Sequence, residues 1–200
     1  MTAIAPPPRL CTVDGRVLDL PADRWFAAAS RAEQRALDHA EGPALDIGCG
    51  PGRHLVALAE RNVFALGIDI SDVFLDVART RGVNVLARSV FEHVPGARRW
   101  RTALLFDGNI GIGGDPIALL SRIVELLRDD GRIIVELERH DPEHEVVVVR
   151  AETDGRFGPW FRWTEVGLDR LTTIATAVGL DVVEAWDSDE RRFAVLGIKP

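Results

Sequence analysis

The chain has 200 residues, 46% of them apolar, and its 24 basic and 31 acidic residues give a net charge of −7. That length suits one domain with a substantial core, and the composition excludes a disordered or collagen-like chain. The acidic balance gives no general attraction to nucleic acid or to an anionic membrane, and two cysteines, Cys11 and Cys49, are too few for a disulfide framework or a zinc site.

In chain order, residues 1–23 with "APPP" (5–8) read as an extended N-terminal tail without the basic-then-apolar pattern of a signal peptide. No apolar run reaches membrane-spanning length, so the expected compartment is cytoplasmic. "RWFAAASRAEQRALDHA" (24–40) has helical spacing and stops before Gly42-Pro43. "ALDIG" (44–48) reads as a short buried strand and "GRHLVALAERN" (52–62) as a helix. "FALGIDI" (64–70) is the second strand, and Ser71 caps a helix that closes at Gly82. "VNVLARS" (83–89) and "TALLFDG" (102–108) are the third and fourth strands. "PIALLSRIVELLRDDG" (116–131) is an amphipathic helix, and "RIIVELE" (132–138) the fifth strand. Residues 141–165 read as an inserted hairpin or lid, followed by a helix over 168–179. "LDVVEAWDS" and "RRFAVLGIK" form a closing antiparallel hairpin through "DSDERR".

Strands alternating with helices of this length predict an α/β, doubly wound, mostly parallel sheet with helices on both faces, in a single domain spanning 1–200. Ligands of such a sheet bind beyond the carboxyl ends of its strands, where "LDIGCGPGRH" (45–54) lies. Its glycines follow Gly-x-Gly-x-Gly, unlike the Gly-x-Gly-x-x-Gly dinucleotide turn, and no Gly-Lys-Ser/Thr follows. Asp46 lies two residues before Gly48, on the same side of the strand by periodicity. A carboxylate there repels a pyrophosphate and suits an ammonium. Asp69 ends the second strand, where an acid accepts from a ribose diol. Glycine loop, ammonium-seeking acid and ribose-seeking acid together describe S-adenosylmethionine.

"LDIGCGPGRH" and "GIDIS" resemble the cofactor motifs of class I S-adenosylmethionine-dependent methyltransferases, over about residues 43–138. The resemblance implies a seven-stranded Rossmann-like sheet with an antiparallel last strand. It places Gly48, Gly50 and Gly52 under the amino-acid moiety of the cofactor, Asp46 at its ammonium, Asp69 at its ribose and Ile70 on its adenine. Where the family usually has an acid after the third strand, this chain has Ser89, with the amides of Val90 and Phe91 next to it.

Methyl transfer needs alignment above all, and a base only when the acceptor must lose a proton. "FDGNIGIGGDP" (106–116) leaves the fourth strand where acceptor-facing residues are expected, which singles out Asp107 and Asn109, with Asp107 also near the cofactor. His140 and His144 follow the fifth strand and are further candidate bases. Trp25 is a candidate pocket wall. The aromatic run "RFGPWFRW" (156–163) is a candidate lid carrying Trp160 and Trp163. Arg53 and His54, on the first turn after the loop, are expected to be solvated. The run "HDPEH" (140–144) does not make a metal site. The expected function is methyl transfer to a small-molecule acceptor by a monomer or homodimer, without nucleic-acid or membrane partners. The alternatives are a nucleotide-dependent oxidoreductase and a non-catalytic S-adenosylmethionine-binding module.

Overall fold

The computed structural model describes residues 9–18, 22–139, 146–153 and 155–199. It opens with strands β1 (Arg9–Thr12) and β2 (Val17–Leu18) and short helices α1 (Ala22–Phe26) and α2 (Arg31–Leu37). Then come β3 (Ala44–Ile47), α3 (Arg53–Glu60), β4 (Ala65–Asp69), α4 (Asp72–Thr80), β5 (Val85–Ala87) and β6 (Trp100–Leu105). A 3-10 segment (Asn109–Gly114) leads to α5 (Pro116–Leu126) and β7 (Leu127–Leu137). The chain ends with β8 (Val147–Thr153), β9 (Arg156–Phe157), β10 (Phe161–Trp163), α6 (Leu168–Ala177), β11 (Leu180–Ser188) and β12 (Arg191–Ile198).

Seven strands form one sheet in the order β11-β12-β7-β6-β3-β4-β5. Neighbours from β7 to β5 run parallel, and β12 lies antiparallel between β7 and β11. This is the expected doubly wound sheet with its antiparallel last strand. Its central strand β3 is buried along its whole length because helices cover both faces. Leu45, Ile47, Ala103 and Leu105 pack with Leu119 and Ile123 of α5 on one face. Ala44, Leu104 and Phe106 pack with Leu37, Leu55 and Leu58 on the other.

Two predicted helices are shorter than their patterns. The stretch 24–40 divides into α1 and α2 because Ser30 caps α2 in a reciprocal box with Glu33. The helix begun at Pro116, capped by Asp115, stops at Leu126; Leu127 turns extended and stays buried.

Residues 9–18 lie in the stretch expected as a tail, and they form strands. They belong to a second, antiparallel sheet of order β10-β8-β1-β2, with β9 also paired to β8. An Asp14-Gly15 turn with Gly15 at φ 84° joins β1 to β2, and β1 aligns Leu10 with Ala151 of β8. One face of this sheet buries Leu10, Val149, Ala151 and Trp163 with Phe74 of α4. The described strands β8, β9 and β10, within the stretch expected as an insertion, thus share one sheet, the cap, with the N-terminal strands.

Candidate functional site

A cavity opens between the carboxyl ends of β3, β4 and β6 and the inner face of the cap. The loop from β3 to α3 is its floor. Gly48 sits at φ 71°, and an added Cβ would lie 2.6 Å from Asn109 Nδ2, so glycine is required both for the turn and for the approach of Asn109. The Asn109 amide donates to the carbonyls of Ile47 and Gly48, each at 3.0 Å. The residue expected to face an acceptor is thereby engaged in bracing the loop.

The Gly50 backbone N–H donates to Asp69 Oδ2 and the Ser71 N–H to Asp69 Oδ1, both at 2.8 Å. The carboxylate is aimed before any ligand arrives. Burial raises the Asp69 pKa, opposed by these backbone donors. A Cβ built on Gly50 meets nothing within 4 Å, so the space above the loop is open. Gly52 begins α3. Cys49 is packed against Gly67, and burial, with Asp46 and Asp69, pushes its thiol far up, which keeps it protonated and inert.

Ile70, Ser89, Val90 and Phe91 line one end of the cavity with Arg88. Ser89 Oγ accepts from the Phe91 N–H at 3.3 Å, and the Phe91 ring lies over Gly113, where a Cβ would meet it at 2.8 Å.

Asp46 departs from its expected placement. It is buried and does not reach the cavity wall; its Oδ2 has no hydrogen-bond partner and lies 3.7 Å from His54 Nδ1. Arg53 and His54, expected in solvent, are 4% and 3% exposed. The cause is Glu33, which enters from α2. Glu33 Oε1 accepts from Arg53 Nε at 3.0 Å and meets His54 Nε2 at 3.1 Å and Arg191 Nη1 at 2.9 Å. Its Oε2 accepts from the Ser30 N–H at 2.5 Å. Burial opposes its charge, yet His54 and Arg53 hold Glu33 far below the ordinary carboxylate range. Burial and Arg53 oppose charge on His54, but Asp46 and Glu33 outweigh them and its pKa is raised.

Asp107 is the meeting point of this network and the cavity. It sits at φ 55°, and both its oxygens accept from Arg53 Nη2 at 2.7 Å. Its N–H donates to Glu136 Oε2 at 2.7 Å, and Arg191 clamps Glu136 with bonds of 2.6 and 2.5 Å. A carboxylate so engaged is a rigid wall. Glu33, His54 and Asp107 bring potential metal-ligand atoms within 4.8 Å of one another, but Arg53 bonds both Glu33 and Asp107. The cluster is a buried ion-pair network.

The aromatic run divides. Trp163 is buried, lines the cavity and donates from Nε1 to the Gly108 carbonyl at 3.1 Å. Trp160 does not line the cavity; 46% exposed, it stacks on the outer face against the Arg150 guanidinium, 4.5 Å from its ring. The strand register explains the split. Trp163 pairs with Val147 on the inner face, whereas Trp160 precedes β10. Trp25 lines the cavity and meets Phe74 edge to face at 5.7 Å. His140 and His144 lie outside the described residues. Sequence reasoning missed Leu10, Ala151, Glu33 and Arg191. For Leu10 a signal was present, since Asp-Gly between apolar residues marks a hairpin. For Glu33 and Arg191 nothing local distinguishes them from surface charges.

Residues 44–131 match the family model of a methyltransferase domain. A solved S-adenosylmethionine-dependent methyltransferase from Bacteroides fragilis, in complex with S-adenosylhomocysteine, is 24% identical. It superposes with a TM-score of 0.83, covering 100% of this chain and 90% of that one. The CcbJ methyltransferase from Streptomyces caelestis is 18% identical with a TM-score of 0.65, covering 91% and 97%. The 1,6-didemethyltoxoflavin-N1-methyltransferase from Burkholderia thailandensis is 19% identical with a TM-score of 0.58, covering 78% and 71%. No curated protein sequence matches the chain. Among the described residues, no helix is long and apolar enough to cross a membrane.

Proposed function

We propose that this chain, which carries a methyltransferase domain within a class I S-adenosylmethionine-dependent methyltransferase fold, moves a methyl group from S-adenosylmethionine to a small-molecule acceptor held beneath the cap. The observation that carries this reading is the Asp69 carboxylate, fixed by the N–H groups of Gly50 and Ser71 beside the open space over Gly50. That donor set fits the cofactor. A prepositioned carboxylate receives a ribose diol, the glycine loop leaves room for the amino-acid end, and Ile70 and Phe91 offer apolar surface to a flat ring.

When bound, the cofactor supplies an activated methyl group on a sulfonium. The protein's own part is alignment, which contributes on the order of 7–11 kcal/mol when reacting groups are held in line. Asn109 keeps the loop at its height by bonding two of its carbonyls. Arg53 holds Asp107 from below, and Trp163 closes the side opposite the loop. The cap excludes water from the space between.

The test is transfer of isotope from methyl-labelled S-adenosylmethionine to a panel of small molecules. Label appearing in a small product supports the reading. S-adenosylhomocysteine failing to bind, with a nicotinamide dinucleotide binding in its place, would remove it.

A further inference from the structure

Beyond the cofactor floor, the cavity is closed by the cap. Leu10 and Ala151 are partners in register on β1 and β8, so their side chains leave the same face of the cap sheet and both line the cavity. Phe161 and Trp163 of β10 alternate onto that face as well. Trp25 and Phe74 complete the wall as an edge-to-face pair, a surface that takes a further ring in offset or edge-on contact. Ala151 and Gly158, both on the wall, put small residues beside Leu10.

Most polar groups that border the cavity are engaged; the exceptions include Ser71 Oγ and the Trp25 indole N–H, each a single hydrogen-bonding group. Both oxygens of Asp107 accept from Arg53, whose guanidinium also bonds Glu33. The Trp163 N–H serves Gly108, and the Asn109 amide serves the loop. Asp69 and Arg88 stand at the cofactor end. Among the described residues, the cap side therefore offers an ionic or polyhydroxylated guest no counter-charge and few hydrogen bonds to replace its hydration, which makes its burial costly.

We infer that the acceptor is an uncharged, planar aromatic or heteroaromatic molecule, seated against the apolar surface that Trp25, Phe74, Leu10 and Ala151 present to the cavity. The inference rests on the methyltransferase reading above and names its substrate class.

Three probes of one ring size separate the physical requirements: naphthol (neutral and flat), naphthoate (flat and charged) and decalinol (neutral and saturated). Binding to protein loaded with S-adenosylhomocysteine is followed by saturation-transfer NMR. Naphthol is expected to bind at least about tenfold more tightly than naphthoate, since the carboxylate finds no partner. Decalinol is expected to bind more weakly than naphthol. The Ala151→Leu variant adds bulk to that surface and is expected to weaken naphthol about tenfold, because overfilling a packed site is costly. Trp25→Ala is expected to weaken it as well, with affinity for S-adenosylhomocysteine by calorimetry unchanged in both variants. Naphthoate or decalinol binding as well as naphthol overturns the inference. So does naphthol binding to both folded variants as it binds to the parent. Calorimetry on the parent protein is read separately: failure to bind S-adenosylhomocysteine removes the methyltransferase reading, whatever the naphthol titration gives.

Discussion

The indole N–H of Trp163 donates to the Gly108 carbonyl at 3.1 Å, and the same ring fills the space that a side chain on Gly108 would need, with a Cβ only 2.9 Å away. The cap is thus pinned to the exit of β6. Gly108→Ala should cost about 1–2 kcal/mol from its φ of 74° alone, and more from displacing the indole. Trp163→Phe should cost about 0.5–1.5 kcal/mol through the lost hydrogen bond. Trp160→Ala, on the outer face, should lose only about 0.5–1 kcal/mol from its stack on Arg150 and leave acceptor affinity alone. Chemical denaturation with parallel acceptor titrations checks all three. An acceptor defect in Trp160→Ala would show that the outer face takes part.

Asp69→Ala should weaken binding of S-adenosylhomocysteine by about 1.5–3 kcal/mol, the worth of charged hydrogen bonds. Binding should also weaken as pH falls, because the raised pKa of Asp69 brings its protonation above the ordinary carboxylate range. Calorimetry across acidic pH measures this, and a pH-independent affinity in the parent protein would exclude Asp69 from the ligand.

The folded protein holds the His54 proton more tightly than the unfolded chain, whose ordinary value is 6.5. Its contribution to stability is full below about 6.5 and falls as pH rises through the higher folded value. Glu33 behaves oppositely: its pKa is depressed from 4.5, so its contribution is present above that value and lost toward acid. Urea denaturation between neutral and alkaline pH should show stability declining. His54→Gln should flatten that decline; an unchanged slope would assign it to other groups.

Arg191→Met should destabilise by about 3–5 kcal/mol, because Glu136 and Glu33 are left buried without a partner that each now has. The double variant Arg191→Met with Glu136→Leu should recover part of that loss. Equal stability of the single and double variants would mean that the two residues are not coupled.

Ser89→Asp should retain cofactor binding or tighten it, since a carboxylate accepts more strongly than a hydroxyl at the cavity's ring end. A large loss, measured by calorimetry, would place the adenine elsewhere.

What was legible in the sequence was local. Gly48, Gly50 and Asp69 could be placed because a loop and two strand ends fix them, and parallel register brings β3 beside β4 whatever the rest of the chain does. Arg53 and His54 were not legible. Their burial depends on Glu33, 20 and 21 positions away, and for Arg53 on Asp107, 54 positions away. Helical periodicity cannot report a partner on another element. Trp160 and Trp163 looked equivalent in composition, and only the pairing of Trp163 with Val147 separates inside from outside. The N-terminal strands carried only the Asp14-Gly15 turn as a local signal; a short hairpin cannot bury a face alone, and the rest of its pattern makes sense only beside β8.

The cap joins strands from distant parts of the chain: Cys11 and Glu152, on the partnered β1 and β8, are 141 positions apart. During synthesis β1 emerges first yet waits for β8, while every parallel strand of the floor has already been made. Contacts so far apart in sequence are slow to close, so the ligand platform precedes its roof in time. In the native state the same order runs in reverse. Hydrogen exchange should open the backbone of β1 well before that of β3, giving small molecules a way in that leaves the central sheet intact.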